Sequence, residues 1–390
     1  MRKLLILPGV VNTLGGTLVT LSLLLKGFKD NGAAEQVCVL VPAGSLIEKY
    51  LKDAGQDYCL QLIEAQTLAQ FVRRSLQWVS KQPNHYPLLL DNCMNRLLMP
   101  DITLAAPALR LSNRPIYHFC HDFVLTENLI VYLARKFAFT WLAAGAICNS
   151  YFTAGQTKRF IDDIRGVLYQ PVDTKRFNNS ATPPPLDLQP ILNSGARIML
   201  TASRITQPEI NNDKNLRALI AVLSHLKATG HFYHAVVVGE DKSPGQIHSR
   251  DLRETAQKAG VADQFTILPP TFAIADYYKH AHIVVTLAPR EPFGRTVVEA
   301  IACGVPVVGS CTGGIGEILH NFAPQWTVDP NDPLAAAAAI MDIATNADTP
   351  KVLAKAQDWV ETHCSIEVYT RRMMQLTQLM TASNSVPLTY

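Results

Sequence analysis

Residues 282–310 read HIVVTLAPREPFGRTVVEAIACGVPVVGS, and this stretch decides the fold of the chain. The apolar run HIVVTLAP predicts a strand, residues 295–303 predict a short helix with one apolar side, and GVPVVGS predicts a second strand. Strands of this kind, joined through a helix, are typical of a parallel sheet. The turn at residues 292–294 therefore lies at the carboxyl end of a strand and at the N-terminus of a helix.

Two glutamates flank that turn. Free backbone N–H groups and the positive end of the helix dipole point out of the turn, and both favour a phosphate. Gly294 allows the backbone to approach a ligand closely. Glu291 precedes the turn and Glu299 follows it on the helix, so that both carboxylates can border one extended ligand. Since a carboxylate accepts hydrogen bonds from vicinal hydroxyls, the pattern fits a sugar at Glu291, a diphosphate at the turn and a ribose at Glu299.

The same alternation of short apolar runs and amphipathic segments continues along all 390 residues. We predict strands in KLLIL, VCVLV, PLLLD, PIYHFC and AICNS, and, further on, in RIMLTAS, HAVVVG and FTILP. The proline-rich residues 178–195 interrupt this rhythm and predict a loop near a domain boundary. The predicted fold class is α/β, with two Rossmann-like doubly wound domains, 1–172 and 173–365, facing each other across a cleft. A C-terminal helix at 366–390 is expected to pack back on the first domain.

Composition excludes several classes of protein. Hydrophobic residues make up 48% of the chain and charged residues 17%, which is a globular balance, and a net charge of +3 is too small to indicate a nucleic-acid partner. Residues 1–172 hold 17 Lys+Arg against 12 Asp+Glu, so the front half is mildly basic. The eight cysteines form no C-x-x-C pair, which predicts buried or free thiols in a reducing compartment. With no apolar run of about 20 residues, we expect a cytoplasmic protein.

The pattern E-P-F-G-x-x-x-x-E-A, followed by C-G-V-P-V-V, resembles the E-x7-E signature of retaining GT-B glycosyltransferases of the family 4 type. LTASRITQPEINNDKN resembles the strand of that family that ends in Arg, with a Lys near the next helix start. The resemblance implies that Arg204 and Lys214 hold the diphosphate of a nucleotide sugar, where fixed cations stabilise the growing charge of the leaving group. It implies further that Glu291 positions the sugar hydroxyls, and that the turn binds the donor through residues Phe293, Gly294, Arg295 and Thr296.

The segment YHFCHDF, residues 117–123, resembles the catalytic loop of the same family. The resemblance implies that His121 approaches the transferred sugar at its 6-hydroxyl, without acting as a nucleophile. His118 is the competing candidate, although it falls within the strand-like run.

Two further segments match the family in order along the chain. PGVVNTLGGTL, residues 8–18, resembles its first Gly-Gly loop, which implies that Gly15 and Gly16 face the donor phosphate or the acceptor. The loop lacks G-x-G-x-x-G, which argues against a dinucleotide fingerprint. The backbone around Leu268 is expected to face the nucleotide base.

The activity that the resemblance implies is retaining transfer of a hexose from a nucleotide diphosphate sugar, UDP-glucose or a related UDP-hexose. The acceptor would be a glycan, a glycolipid or a polysaccharide precursor. No D-x-D triplet occurs, so neither a metal nor another cofactor is expected. A UDP-sugar epimerase of GT-B fold and a non-catalytic nucleotide-sugar-binding protein stay as alternatives. A phosphorylase would need a pyridoxal-phosphate lysine and a longer chain.

Residues 128–145, NLIVYLARKFAFTWLAAG, allow two interpretations. One is a core helix whose cations, Arg135 and Lys136, extend to solvent. The other is a surface that meets a lipid-linked acceptor, with the protein peripheral at the inner face of a membrane.

Overall fold

A computed structural model describes residues 2–12, 15–94, 97–122, 128–142, 144–208 and 213–380. The chain divides into two compact units. The first comprises Met1–Pro171 and Ser365–Tyr390, and the second comprises Val172–Cys364. The predicted domain boundary after residue 172 lies beside this division.

The first unit is built on a seven-stranded sheet in which all neighbouring strands run parallel. Its central strands are buried along their whole length, as a sheet covered by helices on both faces requires. The order across the sheet is β3-β2-β1-β4-β5-β6-β7. The strands are β1 (Leu4–Pro8), β2 (Val37–Pro42), β3 (Leu60–Ile63), β4 (Leu88–Asp91), β5 (Ile116–Cys120), β6 (Gly145–Cys148) and β7 (Ile164–Val167).

The helices of the first unit follow these strands. The first one ends at Asp30 and is followed by Asn31 and Gly32, where Gly32 adopts a positive φ of 66°. Its apolar residues, Leu21, Leu25 and Phe28 among them, are buried against the sheet. The helices are α1 (Gly16–Asp30), α2 (Leu46–Asp53), α3 (Leu68–Ser80), α4 (Met99–Leu111), α5 (Leu129–Leu142), α6 (Tyr151–Thr157) and, from the C-terminal segment, α15 (Ile366–Leu376).

The C-terminal helix α15 packs on α1 within the first unit. A Cβ at Gly27 would stand 1.9 Å from Thr370 Oγ1, so the two helices approach too closely there for any side chain. The helix is shorter than predicted: it ends at Leu376, and Gln378 adopts a left-handed φ of 58°. The rest of the predicted helix, 381–390, lies outside the described residues.

The second unit repeats the architecture with a six-stranded parallel sheet in the order β10-β9-β8-β11-β12-β13. Its strands are β8 (Arg197–Ala202), β9 (Tyr233–Val238), β10 (Phe265–Leu268), β11 (Ile283–Thr286), β12 (Val307–Ser310) and β13 (Thr327–Val328). Its helices are α7 (Gln189–Asn193), α8 (Leu216–Ala228), α9 (Ile247–Lys258), α10 (Ile274–Lys279), α11 (Arg295–Ala302), α12 (Gly313–His320), α13 (Pro333–Thr345) and α14 (Thr349–Cys364). The prediction of two doubly wound, parallel-sheet units is confirmed.

In each sheet the strand order reverses once, between β1 and β4 in the first unit and between β8 and β11 in the second. Ligands of doubly wound sheets bind outside the carboxyl ends of the strands at such a reversal. The loops that leave β1 and β4, and those that leave β8 and β11, are therefore where functional side chains are expected. Strand β5, which His121 follows, is the neighbour of β4 in the sheet.

Candidate active site

In the second unit, the turn at Glu291–Gly294 follows β11 and leads into α11. Gly294 precedes the first helical residue with φ 103° and ψ 50°, a conformation in which any other residue would be strained. Phe293 is buried at 2% exposure, so its side chain anchors the turn rather than facing a ligand. The predicted strand–turn–helix is confirmed, and in the first turn of α11 the Val297 N–H donates to the Gly294 carbonyl at 2.9 Å.

The start of α12 fixes the shape of this turn. The Gly314 N–H donates to the Glu291 carbonyl at 2.7 Å. A Cβ at Gly314 would stand 2.4 Å from the Phe293 carbonyl oxygen, and one at Gly313 would stand 2.8 Å from that of Glu291. The two glycines therefore allow α12 to lie directly against the turn.

Lys214 and Glu291, which are 77 positions apart, meet in an ion pair: Lys214 Nζ lies 2.6 Å from Glu291 Oε2. Their side chains are 18% and 25% exposed, so solvent reaches both groups. A lysine ammonium has three N–H donors, so the contact with Glu291 leaves Lys214 able to bind a second acceptor. The structure thus brings the predicted diphosphate-binding cation and the predicted sugar-binding acid to one point.

Asn215 holds Lys214 in place, and sequence reasoning missed it. Asn215 precedes α8 with a left-handed φ of 50°, which Asn tolerates better than most residues. Its side-chain amide donates to the carbonyls of Leu287, at 3.3 Å, and Pro330, at 2.7 Å. These bonds hold the start of α8 against the segments that follow β11 and β13. Because Lys214 directly precedes Asn215, they position Lys214 as well.

Glu299 lies on α11, 8% exposed, with partners of its own. The Tyr278 hydroxyl donates to its Oε2 at 3.3 Å, and Arg295 Nη1 lies 3.8 Å from its Oε1. Burial raises the pKa of Glu299, while the Arg295 charge and the Tyr278 hydrogen bond oppose that rise. The carboxylate is therefore a buried acceptor that is already oriented, and the buried Tyr278 on α10 is a second residue that the sequence did not indicate.

Arg204 follows β8 and is exposed. Among the described residues, none forms a hydrogen bond or an ion pair with its guanidinium, so its charge is available to bind an anion. The neighbouring Gly239, after β9, lies so close that a Cβ there would stand 1.8 Å from the Ser203 carbonyl oxygen. The backbone that carries Arg204 is therefore positioned by contact with the end of the adjacent strand.

Four other predicted donor residues lie at strand or helix ends. Leu268 closes β10, and its carbonyl accepts from the Gly239 N–H at 3.1 Å. Thr296 lies in the first turn of α11. In the first unit, Gly15 precedes α1 and Gly16 is its first residue; within the described chain, a Cβ at Gly15 would meet no heavy atom within 4 Å. Gly15 is thus not required by internal packing, and its prediction as a binding residue stays untested.

His121 immediately follows β5 in the first unit and is 4% exposed. Its Nε2 lies 2.7 Å from Asp91 Oδ1 at the end of the adjacent strand β4, and Gln170 Nε2 lies 3.3 Å from its Nδ1. Asn149 donates to its backbone carbonyl at 2.8 Å. In this arrangement Nε2 carries the proton directed at Asp91, and Nδ1 accepts from the Gln170 amide. Both ring nitrogens have protein partners, so a sugar hydroxyl would have to displace Gln170 or Asp91.

The competing His118 lies inside β5 and is fully buried. Its Nδ1 lies 3.1 Å from Cys120 Sγ, and its ring packs edge-on against Phe139. Burial, with a smaller contribution from His121, lowers the pKa of His118 to about 3, so it is an uncharged core residue. The geometry favours His121 over His118.

The residues that sequence reasoning missed share one feature: each is a single polar side chain that contacts a predicted one. Asp91 could have been found, because it is the polar residue that ends the apolar run PLLLD beside the strand of His121. Tyr278 stands in no pattern that marks it. Gln170 belongs to LYQPVDTKRF, residues 168–177, which resembles the hinge of the same family, but that resemblance does not indicate a contact with His121. Within the described ranges, no group of three or more His, Cys, Asp or Glu side chains is arranged to bind a metal. All eight cysteines are free thiols.

Comparison with known proteins defines the class first. The fold matches that of Anabaena Alr3699/HepE, solved in complex with UDP and glucose, with a TM-score of 0.75 over 97% of this chain and 100% of that one, at 18% identity. A sucrose-phosphate synthase matches in the same way, with a TM-score of 0.70. The structural neighbours are GT-B glycosyltransferases, and the chain has their fold.

The sequence then narrows the class. Residues 193–358, less than half of the chain and all within the second unit, match the family model described as glycosyl transferases group 1. The D-inositol 3-phosphate glycosyltransferase of Geodermatophilus obscurus is 33% identical over 147 residues, 37% of this chain and 32% of the relative. The lipopolysaccharide core biosynthesis mannosyltransferase LpsB of Rhizobium meliloti is 28% identical over 212 residues, 52% and 56% of the two chains. The match thus spans between a third and just over half of these curated relatives.

Proposed function

We propose that this protein is a retaining glycosyltransferase that moves a hexose from a nucleotide diphosphate sugar to a glycan, a glycolipid or a polysaccharide precursor. The observation that carries the proposal is the Lys214–Glu291 pair beside the turn into α11, inside the group 1 domain. One cation there has a donor left for a diphosphate, and one acid has an accessible carboxylate for sugar hydroxyls.

The donor assignment to a UDP-hexose, UDP-glucose or a close relative, has support of a different kind. The Anabaena neighbour was solved with UDP and glucose, and the name of the Rhizobium relative describes a mannosyl transfer. Both concern hexoses. We assign the ribose to Glu299, whose buried and pre-oriented carboxylate suits a neutral diol better than a charged group, and the base to the backbone around Leu268.

In the proposed chemistry, the protein stabilises the charge that grows on the departing diphosphate. That charge is stabilised by the cations Arg204 and Lys214 and by the backbone N–H groups at residues 293–296. Because these groups are fixed in place, the proposed reaction needs no metal. Glu291 positions the sugar hydroxyls and does not attack carbon. His121 keeps its proposed role at the sugar 6-hydroxyl, which requires Gln170 or Asp91 to give up its bond. The configuration at the sugar carbon is retained because the acceptor attacks from the face that the diphosphate leaves.

The test is a transfer assay with UDP-glucose and other UDP-hexoses, combined with Glu291→Ala, Arg204→Ala and His121→Ala. Each substitution should lower turnover by roughly 10²–10³, the scale for the loss of one transition-state contact. Normal turnover in a folded variant would remove that residue from the site.

The second candidate function is epimerisation of a UDP-sugar, which the same donor-binding residues allow. An epimerase converts the UDP-sugar without any acceptor. A transferase releases UDP only when it transfers the sugar to an acceptor or, slowly, when it hydrolyses the donor. Analysis of the sugar after incubation without acceptor separates the two.

We propose a cytoplasmic location at the inner face of a membrane. Within the described residues, no helix is both long and apolar enough to cross a bilayer.

A further inference from the structure

Helix α4 of the first unit presents an apolar stripe to solvent. Leu104 and Leu111, seven positions apart, are 77% and 85% exposed, and Pro100 and Pro107 on the same side of the helix are exposed as well. The opposite side of α4, including Ile102 and other residues, is buried in the core. The helix is thus apolar on both sides, where a surface helix normally turns a polar side to water.

Helix α5 packs beside α4 and likewise exposes apolar side chains to solvent. Its buried residues are Ala138, Phe139 and Leu142. Ile130 and Phe137 on its other side are 76% and 64% exposed. Of the two interpretations of residues 128–145, a plain core helix is therefore wrong, because the larger share of its apolar side chains faces outward. We call the combined face the α4–α5 surface: Leu104, Leu111, Ile130, Leu133, Phe137 and Trp141.

A surface of this size needs an explanation. Single exposed apolar side chains are ordinary, but adjoining stripes on two packed helices form a continuous apolar patch, which is typical of a docking site. A groove runs between the two helices, lined by Met99, Leu104, Ile130 and Phe137 among others.

The charges of the two helices indicate the partner. Besides Arg110, Arg135 and Lys136, the only charged residue in the sequence of α4 and α5 is Asp101. Asp101 is buried and paired with Arg73 at 3.0 Å, so it does not contribute a negative charge to the surface. Arg110 lies 5.5 Å from the ring of Trp141, which places a cation beside an aromatic side chain at the edge of the patch.

Apolar side chains bordered by cations and Trp match the interface of a bilayer with negatively charged headgroups. A helix of 14 residues, the length of α5, is too short to span a hydrocarbon core, which needs about 20. This length suits a helix that lies in the plane of the membrane interface.

The position of the surface in the fold relates it to the site of the first unit. Helix α4 follows β4, which ends in Asp91, and α5 follows β5, which is followed directly by His121. The N-terminal ends of both helices therefore lie at the same edge of the sheet as the Asp91–His121 pair. Docking through these helices would bring that edge close to the lipid.

We propose that the α4–α5 surface docks the protein on an anionic lipid bilayer, with its apolar side chains at the acyl boundary and Arg110 and Lys136 at the headgroup phosphates. The inference goes beyond glycosyl transfer, because it assigns a membrane-binding face to the first unit. It also gives a physical reason for an acceptor that is itself lipid-linked.

The test is cosedimentation of the full chain with vesicles of phosphatidylcholine, with and without phosphatidylglycerol. The variant is Leu104→Ser with Phe137→Ser, and its matched control is Leu186→Ser with Phe272→Ser in the second unit, at positions 80% and 70% exposed. Because each buried Leu or Phe is worth roughly a factor of ten in partitioning, the variant should bind about 100-fold more weakly. The control should bind like the native chain.

A second comparison tests the charge. Arg110→Gln should weaken binding to phosphatidylglycerol vesicles about fivefold and leave binding to neutral vesicles unchanged, whereas Arg253→Gln on α9 should change neither. Thermal melting checks that all variants are folded. Vesicle binding requires no donor, so its outcome is independent of the proposed transferase activity.

Three results would overturn the inference. The native chain does not bind anionic vesicles; or it binds, and the Leu104→Ser/Phe137→Ser variant binds equally well; or sedimentation velocity shows a dimer that this variant splits, without lipid binding. The last result would assign the surface to a second copy of the chain.

Discussion

Substitutions in the Lys214–Glu291 pair should separate UDP binding from turnover of the nucleotide sugar. We consider Lys214→Met and Glu291→Gln, singly and together. With Nζ and Oε2 only 2.6 Å apart but both side chains partly exposed, the pair should contribute about 1 kcal/mol to the free energy of unfolding. A full buried-pair penalty is not expected, since water reaches the group that remains.

The affinity for UDP should fall in Lys214→Met but not in Glu291→Gln. Lys214→Met removes a charged hydrogen-bond donor to the diphosphate, worth about 1.5–3 kcal/mol, so UDP should bind roughly 10- to 100-fold more weakly. Glu291→Gln removes the acid that shares the ammonium, so UDP should bind equally well or a few-fold more tightly. Turnover with the nucleotide sugar should nevertheless fall roughly 10²–10³-fold in Glu291→Gln, since the sugar loses its positioning acid.

Isothermal titration with UDP and chemical unfolding of all four proteins measure these effects. Lys227→Met and Asp263→Asn provide the control, an exposed pair of the same unit at 3.1 Å, for which little coupling and no change in UDP affinity are expected. If Glu291→Gln weakened UDP binding as much as Lys214→Met, or if the two showed no coupling in stability, the inferred division of labour would be refuted.

Three further predictions concern the surrounding residues. Burial raises the pKa of Glu299, so this acid lowers the stability of the unliganded fold as pH rises from the ordinary glutamate value through the raised one. Glu299→Gln should therefore gain in melting temperature over the native chain as pH rises above the ordinary glutamate value, and it should bind UDP about tenfold more weakly. Asp91→Asn should lower turnover about 100-fold by misplacing His121, with UDP affinity unchanged. Gly314→Ala, whose Cβ would stand 2.4 Å from the Phe293 carbonyl oxygen, should destabilise the fold by about 1–3 kcal/mol and abolish UDP binding.

Two of these predictions, those for Glu299 and Gly314, have a matched control in the same chain. Glu361→Gln, an exposed acid on α14, should show no pH-dependent gain in melting temperature. Gly155→Ala on α6 meets no heavy atom within 4 Å among the described residues and should be neutral or slightly stabilising. Equal melting behaviour of Glu299→Gln and Glu361→Gln, unchanged turnover of Asp91→Asn, or full UDP binding by Gly314→Ala would contradict the respective prediction.

The central strands could be predicted because they are buried on both faces and read as continuous apolar runs. The strands β3, β7 and β13 could not: they lie at sheet edges, and β3 and β7 are only partly buried. An edge strand covers less of the core and keeps polar residues, so its sequence resembles that of a loop. The loop predicted at 178–195 likewise contains the short helix α7.

Candidate site residues at chain turns could be named from the sequence, but their partners could not. Glu291 and Lys214 each belong to a recognisable pattern, whereas their meeting depends on where α8 starts relative to β11, which Asn215 determines through tertiary contacts. Tyr278 contacts Glu299 from a separate helix and has no local signal. The sequence of α5 fitted a core helix and a docking helix equally well, because only tertiary packing decides which of its sides is covered.

The central claim is that the second unit binds a nucleotide diphosphate sugar. Isothermal titration of UDP, GDP and ADP, then of the matching nucleotide sugars, with and without EDTA, tests it most directly. We predict saturable binding of UDP and UDP-hexose that EDTA does not change and that Lys214→Met weakens. Absence of binding by all three nucleotides would contradict the account, because the Glu291–Gly294 turn would then be a structural element without a ligand.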